Sequence, residues 1–190
     1  MTTIAVAHGI MCSDNQETND YGHAYACKKI YQVKTGPFKG HIIGTTGSTY
    51  TALLFIDWYR AGNVRVPLDP TSLEDWTGLD LVDILFEEDT FECVILTPKG
   101  ILVTDKSFRP APIVGDTYTT GSGGSVARGV LDAGGTAEEA VKVACLRDTY
   151  TSDMGIPLQQ LEVSNWKKGG FAVGDEGFEP PVVRKRRTKS

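Results

Sequence analysis

The chain begins Met1-Thr2-Thr3-Ile4, and that start can do chemistry once Met1 is removed. Methionine ahead of a small residue is normally cleaved, which would leave Thr2 with a hydroxyl and a free α-amine on one residue. A threonine hydroxyl is a weak nucleophile until a base takes its proton, and its own α-amine can be that base. With a reference pKa of about 7.7–8.0, such an amine is already partly neutral at physiological pH. Met-Thr-Thr is also an ordinary way to begin a protein, so the start acquires meaning only from partners elsewhere in the chain.

Three further clusters offer partners. Cys27-Lys28-Lys29-Ile30 lies in an apolar stretch that reads as a strand. Adjacent strand residues face opposite sides, so a strand covered on both faces turns one lysine inward. An inward lysine needs a carboxylate, because a buried unpaired charge is expensive, and Asp14 after the preceding strand is a candidate. An edge strand with both lysines in water fits the pattern equally well. Thr119-Thr120-Gly121-Ser122-Gly123-Gly124 is a glycine-rich turn between a strand and a helix, a place where backbone N–H groups can hold an anion. It lacks the Gly-Lys-Ser/Thr of a P-loop, and no dinucleotide fingerprint follows a strand elsewhere. Finally, Arg147-Asp148-Thr149-Tyr150-Thr151-Ser152-Asp153 gathers polar side chains where a helix closes, which is equally the pattern of a simple capped end.

The elements that must position these residues follow from periodicity. Residues 3–12 read as a strand broken by Gly9, followed by a polar turn over 13–16 and a loop to about Gly22. Residues 24–33 and 41–46 read as strands, the latter ending at Gly47. Helical spacing then runs from Tyr50 through Leu53, Leu54, Ile56 and Trp58 and stops at Gly62. Residues 63–89 are Asp-rich and irregular, with a short helix expected near 79–86. A hairpin follows, with strands at 91–96 and 101–104 around Thr97-Pro98-Lys99-Gly100. After a strand at 118–122, a helix is expected over 125–132. Thr136 and Glu139 form a capping box that opens another helix, and 158–163 reads as a last strand. Strand runs segregated from helix runs indicate an α+β or layered arrangement.

Composition narrows the classes. A 41% hydrophobic and 23% charged content is that of a soluble globular protein, and a net charge of −5 argues against a nucleic-acid-binding body. No apolar run approaches the roughly 18–20 residues of a membrane span. The short apolar start carries no Lys or Arg before it, unlike a signal peptide, so a cytoplasmic protein is expected. Cys12, Cys27, Cys93 and Cys145 form no C-x-x-C pair and read as buried thiols. His8, His23 and His41 lack metal-ligand spacing, so neither a metal nor a cofactor is expected. The length suits one domain over residues 1–165. The remainder, 166–190, is expected to be a flexible tail, rich in Gly, Glu and Pro and ending in Arg184-Lys185-Arg186-Arg187-Thr188-Lys189. That basic end reads as solvated, with docking to a partner or an acidic surface as the alternative.

Taken in order, the motifs resemble those of the β-type subunits of proteasomes and of the bacterial protease HslV, from Thr2 to about Asp153. Thr2-Thr3-Ile4 resembles their mature start, Ser13-Asp14-Asn15-Gln16 their aspartate turn, and Cys27-Lys28-Lys29-Ile30 their paired-lysine strand. Ile43-Gly44-Thr45-Thr46-Gly47-Ser48 is similar to their strand-to-helix turn; Gly121-Ser122-Gly123-Gly124 with Ala127, and Arg147 to Thr151, complete the set. The resemblance implies a four-layer α-β-β-α sandwich of the N-terminal-nucleophile hydrolase type and a threonine endopeptidase. Thr2 would be the nucleophile, Lys29 its charged neighbour, Asp14 the lysine's partner and Gly47 the oxyanion donor, with Ser122, Asp148 and Thr151 around the α-amine. Cys27, Tyr31, Thr45 and Thr49 would lie near the substrate; being neutral and mostly small, they suggest an uncharged side chain before the cut. Thr151 stands where the family often has serine, and Thr51 or Tyr50 where it has an aspartate. The resemblance also implies polypeptide substrates, a homo-oligomeric ring and an unfoldase ATPase partner, and, with one residue before Thr2, no self-cleaved pro-segment. The competing expectations are an inactive ring or scaffold subunit, a small-molecule amidase of the same superfamily, and a non-enzymatic binding module built on the glycine turn.

Overall fold

Alternation along the first strand sets up the layers. In the computed structural model, which describes residues 2–19, 21–62, 90–105 and 110–171, every residue of β1 (Thr3–Ala7) is buried. Successive side chains of a strand face opposite ways, so burial throughout means that both faces are covered. Ile4 and Val6 enter one apolar cluster and Ala5 and Ala7 another. β1 pairs antiparallel with β2 (Ile10–Ser13) and with β10 (Thr117–Gly121), while β11 (Gln159–Glu162) pairs with β2. The sheet order is β10-β1-β2-β11.

A second antiparallel sheet lies against it. It comprises β5 (Ile30–Gln32), β6 (Ile42–Gly47), β7 (Phe91–Thr97), β8 (Gly100–Asp105) and β9 (Ala111–Ile113), in that spatial order. Between the sheets, Ile4, Val6 and Met11 meet Ile30, Ile42, Val94, Leu96 and Ile101. Each such side chain contributes roughly 1.5–3 kcal/mol through its burial. Gly44 of β6 keeps the sheets close, since a Cβ there would stand 2.8 Å from Met11 Sδ and 2.9 Å from Ile4 Cδ1.

Helices cover the two outer faces. α1 (Thr49–Arg60), capped by the Ser48 hydroxyl accepting from Thr51 N, buries Phe55, Ile56 and Tyr59 against Ile43, Cys93, Ile95 and Leu102 of the second sheet. On the other side, α2 (Gly124–Asp132) and α3 (Ala137–Arg147) lay Ala127, Ala140 and Ala144 over Ala5, Ala7 and Cys12. Small residues on both partners allow a close approach. The Thr136–Glu139 capping box opens α3 as the sequence indicates. The result is an α+β fold in four layers, α-β-β-α. No helix among the described residues is long and apolar enough to cross a membrane.

Several segments depart from the sequence pattern. Residues 24–33 are not one strand: β4 (Ala24–Ala26) pairs with β3 (Gln16–Thr18) in a small separate ribbon, and β5 joins the five-stranded sheet. Cys27, Lys28 and Lys29 between them belong to no strand. Their backbone is held otherwise, Cys27 N donating to Asn15 O at 2.8 Å and Lys29 N to Gln159 Oε1 at 2.9 Å. Lys29 is therefore buried from a break between strands, not from a strand covered on both faces. β3 and β9 are strands that the pattern does not signal, being short and polar or proline-containing. Residues 166–171, placed in the tail by composition, lie on the body. Trp166 packs on the inter-sheet cluster, Lys167 N donates to Pro98 O, and Phe171 bridges to Val114 and Gly115. The helix expected at 79–86 and the basic end of the chain lie outside the described residues.

Candidate active site

Thr2 sits at the head of β1, where the neighbouring strands leave no freedom. Ser122 N donates to Thr2 O at 2.9 Å, and Gly121, opposite Thr3 in the β1–β10 register, has φ 89°. A Cβ on Gly121 would stand 1.8 Å from Thr2 O, so only glycine allows this approach. Across β2, Asp14 follows Ser13 and is fully buried. Its carboxylate accepts from Thr3 N at 2.8 Å and from Gln16 N at 3.1 Å.

Lys29 connects the two. Its ammonium donates to Thr2 Oγ1 at 2.8 Å, to Asp14 Oδ1 at 3.1 Å and Oδ2 at 3.3 Å, and to the Gln16 carbonyl. The side chain is 4% exposed. Burial pulls the Lys29 amine below the ordinary lysine value, with Asp14 opposing. Burial likewise pushes Asp14 up, opposed by Lys29 and by the Thr3 and Gln16 amides. Lysine and carboxylate start far apart on the pH scale, and the lone pairs and protons of both are occupied. A buried pair with such geometry is one that holds its charges.

A second polar network flanks Thr2. Ser122 Oγ donates to Asp148 Oδ2 at 2.6 Å, and Thr151 Oγ1 donates to the same oxygen at 2.5 Å. Thr151 Oγ1 also lies 2.6 Å from Thr3 Oγ1, which accepts from Gly123 N at 3.0 Å. Partial burial raises the Asp148 pKa, but the hydroxyls of Ser122 and Thr151 and the Tyr150 amide outweigh it and hold the carboxyl below its usual range. The hydroxyl of Thr151 thus occupies a defined place in the network.

Beside Thr2 opens a cavity of about 70 Å³, and Cys27, Tyr31, Thr45 and Thr49 all line it, together with Gly47. Gly47 ends β6 at φ 88°, where a Cβ would lie 1.7 Å from Thr90 O. A broader groove of about 1060 Å³ runs along β5 and β11 but is lined by none of Thr2, Asp14 and Lys29. Among the described residues no group of three His, Cys, Asp or Glu side chains converges as a metal would require.

Two residues of this site carry no sequence signal that singles them out. Glu17 lines the same cavity; it falls in the polar stretch that reads as a loop. Gln159 of β11 donates to Cys27 O at 2.7 Å, Asn15 Oδ1 at 2.9 Å and Asp14 O at 3.3 Å, while its Oε1 accepts from Lys29 N. Its single amide therefore joins the aspartate turn to the lysine segment from a position 145 residues beyond Asp14. A glutamine on an edge strand looks like any solvated residue until that separation is closed.

The four-layer α-β-β-α arrangement is one that solved structures of HslV and BPH share. Eukaryotic HslV from Trypanosoma brucei superposes with a TM-score of 0.59 at 17% identity, covering 84% of this chain and 99% of its own. BPH from Thiobacillus denitrificans does so at 0.57 in complex with epoxomicin and at 0.56 without it. Both BPH structures are 19% identical to this chain, covering 85% and 86% of it and 99% of their own length. No family model matches the sequence, and no curated protein matches it. The likeness is one of fold.

Proposed function

We propose that the chain is a threonine peptidase that cleaves peptide bonds with Thr2 once Met1 has been removed. The observation that carries the reading is the placing of one buried ammonium, Lys29 Nζ, within 2.8 Å of Thr2 Oγ1 and 3.1 Å of Asp14. Thr2 Oγ attacks the substrate carbonyl, and its proton passes to the freed α-amine, directly or through a water. The Lys29 charge lowers the pKa of both groups, since a nearby cation favours an alkoxide and disfavours an ammonium. Asp14 holds Lys29 in position.

The Gly47 N–H serves as donor to the oxyanion, a kind of stabilisation worth about 3–4 kcal/mol when removed. The amine's proton goes to the leaving nitrogen as the C–N bond breaks, leaving an ester on Thr2. A water then adds to that ester and restores the hydroxyl. Ser122, Asp148 and Thr151 orient the α-amine and relay its protons. Substrates are polypeptides, and the setting that suits the fold is a homo-oligomeric, self-compartmentalising ring in the cytoplasm, fed by an unfoldase ATPase.

The test is mass spectrometry of the purified protein with and without epoxomicin, a peptide epoxyketone whose ring adduct needs a hydroxyl and a free α-amine on one residue. An adduct on a Met-free Thr2 is expected. A processed N-terminus with no adduct in the assembled protein would assign the chain to an inactive ring subunit.

A further inference from the structure

The cavity beside Thr2 contains a carboxylate where the matched positions lead one to expect only neutral groups. Glu17 lies on β3, half-buried, and lines the cavity together with Thr2 and Gly47. Side chains from α1, β4 and the segment after β4 surround it. Thr49 Oγ1, at the start of α1, donates to Glu17 Oε1 at 2.5 Å. Tyr25 stands opposite it in the β3–β4 register, and Cys27 lines the same cavity. Burial would raise the Glu17 pKa, but the polar groups of Cys27, Thr49 and Tyr25 around it, with help from Lys29, bring it below the usual glutamate value. The group is therefore a fixed anion at neutral pH.

Two cations share the cavity wall, and neither cancels it. Lys29 is committed to Asp14, Thr2 and the Gln16 carbonyl. Lys28 is exposed, with Nζ 5.0 Å from the centre of the Tyr31 ring, and an ammonium in water is heavily screened. Ala52 and Leu53 supply an apolar part of the wall. An apolar surface beside one fixed carboxylate suits an aliphatic stem with a cationic head, such as lysine or arginine.

We infer that Glu17 makes this site prefer a lysine or arginine side chain on the residue whose carbonyl Thr2 attacks, and that it disfavours an acidic one. The inference rests on the peptidase reading of Thr2 and adds the substrate class to it. A hydrogen bond to a charged group corresponds to about a ten- to hundredfold advantage, and an acidic side chain meets like-charge repulsion.

The test uses three peptide epoxyketones that differ only in that residue, carrying arginine, leucine or glutamate. The rate of adduct formation on Thr2 of the full assembled chain is followed by mass spectrometry. Arginine is expected to react about tenfold faster than leucine, and glutamate slowest. Glu17→Gln, which keeps the size and can still accept from Thr49, is expected to bring the arginine-to-leucine ratio to about one. Equal wild-type rates for arginine and leucine overturn the inference whether or not E17Q folds, and so does an arginine advantage that survives in E17Q. Adducts without that preference sink this inference alone. No adduct with any of the three probes on a Met-free Thr2 sinks the peptidase reading and this inference together.

Discussion

Lys29 Nζ stands 2.8 Å from Thr2 Oγ1 and is itself held by both oxygens of Asp14. One cation thus satisfies a buried carboxylate and touches the hydroxyl proposed to react. These two duties separate under mutation. Lys29→Met removes the charge and keeps most of the volume. It should lower the rate of the Thr2 adduct at least a hundredfold, because the hydroxyl loses the field that favours its alkoxide. Breaking one side of a buried pair costs about 3–5 kcal/mol, so urea denaturation should show a loss of that order. Adding Asp14→Asn should recover part of the stability and none of the adduct. Recovery of both would mean that Lys29 acts on the fold alone.

Gln159 offers a second separation, since it touches no reacting atom. Its amide donates to Cys27 O, Asn15 Oδ1 and Asp14 O and accepts from Lys29 N. Gln159→Leu leaves those groups without it, and each buried group left unsatisfied costs about 1–3 kcal/mol. A loss of about 2–4 kcal/mol is expected by denaturation, together with a slower adduct because the lysine segment loses its anchor. An unchanged adduct rate in a destabilised variant would confine Gln159 to the fold.

Much of this arrangement is legible in the chain. The strand over residues 3–12 broken at Gly9 stands as β1 and β2, on either side of that glycine. The Thr136–Glu139 capping box and the hairpin around Pro98 stand where their local chemistry puts them. What periodicity misreads is the segment around Lys29. Residues 24 to 33 read as one strand, but the backbone N–H groups of Cys27 and Lys29 donate to Asn15 and to the distant Gln159. Glu17 is hidden for a related reason. Its neighbours Tyr25, Cys27 and Thr49 are brought to it only by folding, and nothing about an acidic residue in a polar stretch says which side of a ribbon it faces.

Gly47 tests the strand-to-helix turn. Its φ of 88° lies where side chains are strained, and a Cβ would meet Thr90 O at 1.7 Å. Gly47→Ala keeps the backbone N–H proposed as the oxyanion donor, so any effect must come through displaced backbone. A loss of about 2–4 kcal/mol is expected, which for a domain of this size lowers Tm by roughly 4–16 °C. The Thr2 adduct should disappear even at temperatures where the variant stays folded. Retention of the adduct at the wild-type rate would argue that the Gly47 amide does not serve the reaction.

His41 predicts how the fold responds to acid. Its Nδ1 lies 2.8 Å from the Tyr59 hydroxyl, and its ring is 5.5 Å from that of Phe38. Burial lowers its pKa from 6.5 to about 4, because a charged imidazolium is poorly solvated there. Between those two values the unfolded chain binds a proton that the folded chain does not. The contribution of a neutral His41 is therefore complete above about pH 6.5 and is lost progressively as the pH falls towards 4. Allowing for the partial exposure of the ring, the loss should be about 2 kcal/mol. Carboxylates titrate in the same range, so the informative quantity is the difference between the wild type and His41→Gln, measured by urea denaturation at pH 7.5 and 4.5. That difference should shrink towards acid, as the wild type alone loses the contribution. A difference that stays constant across the interval would show that the ring takes up its proton without strain, through a rearrangement that opens the Phe38–Tyr59 corner to water.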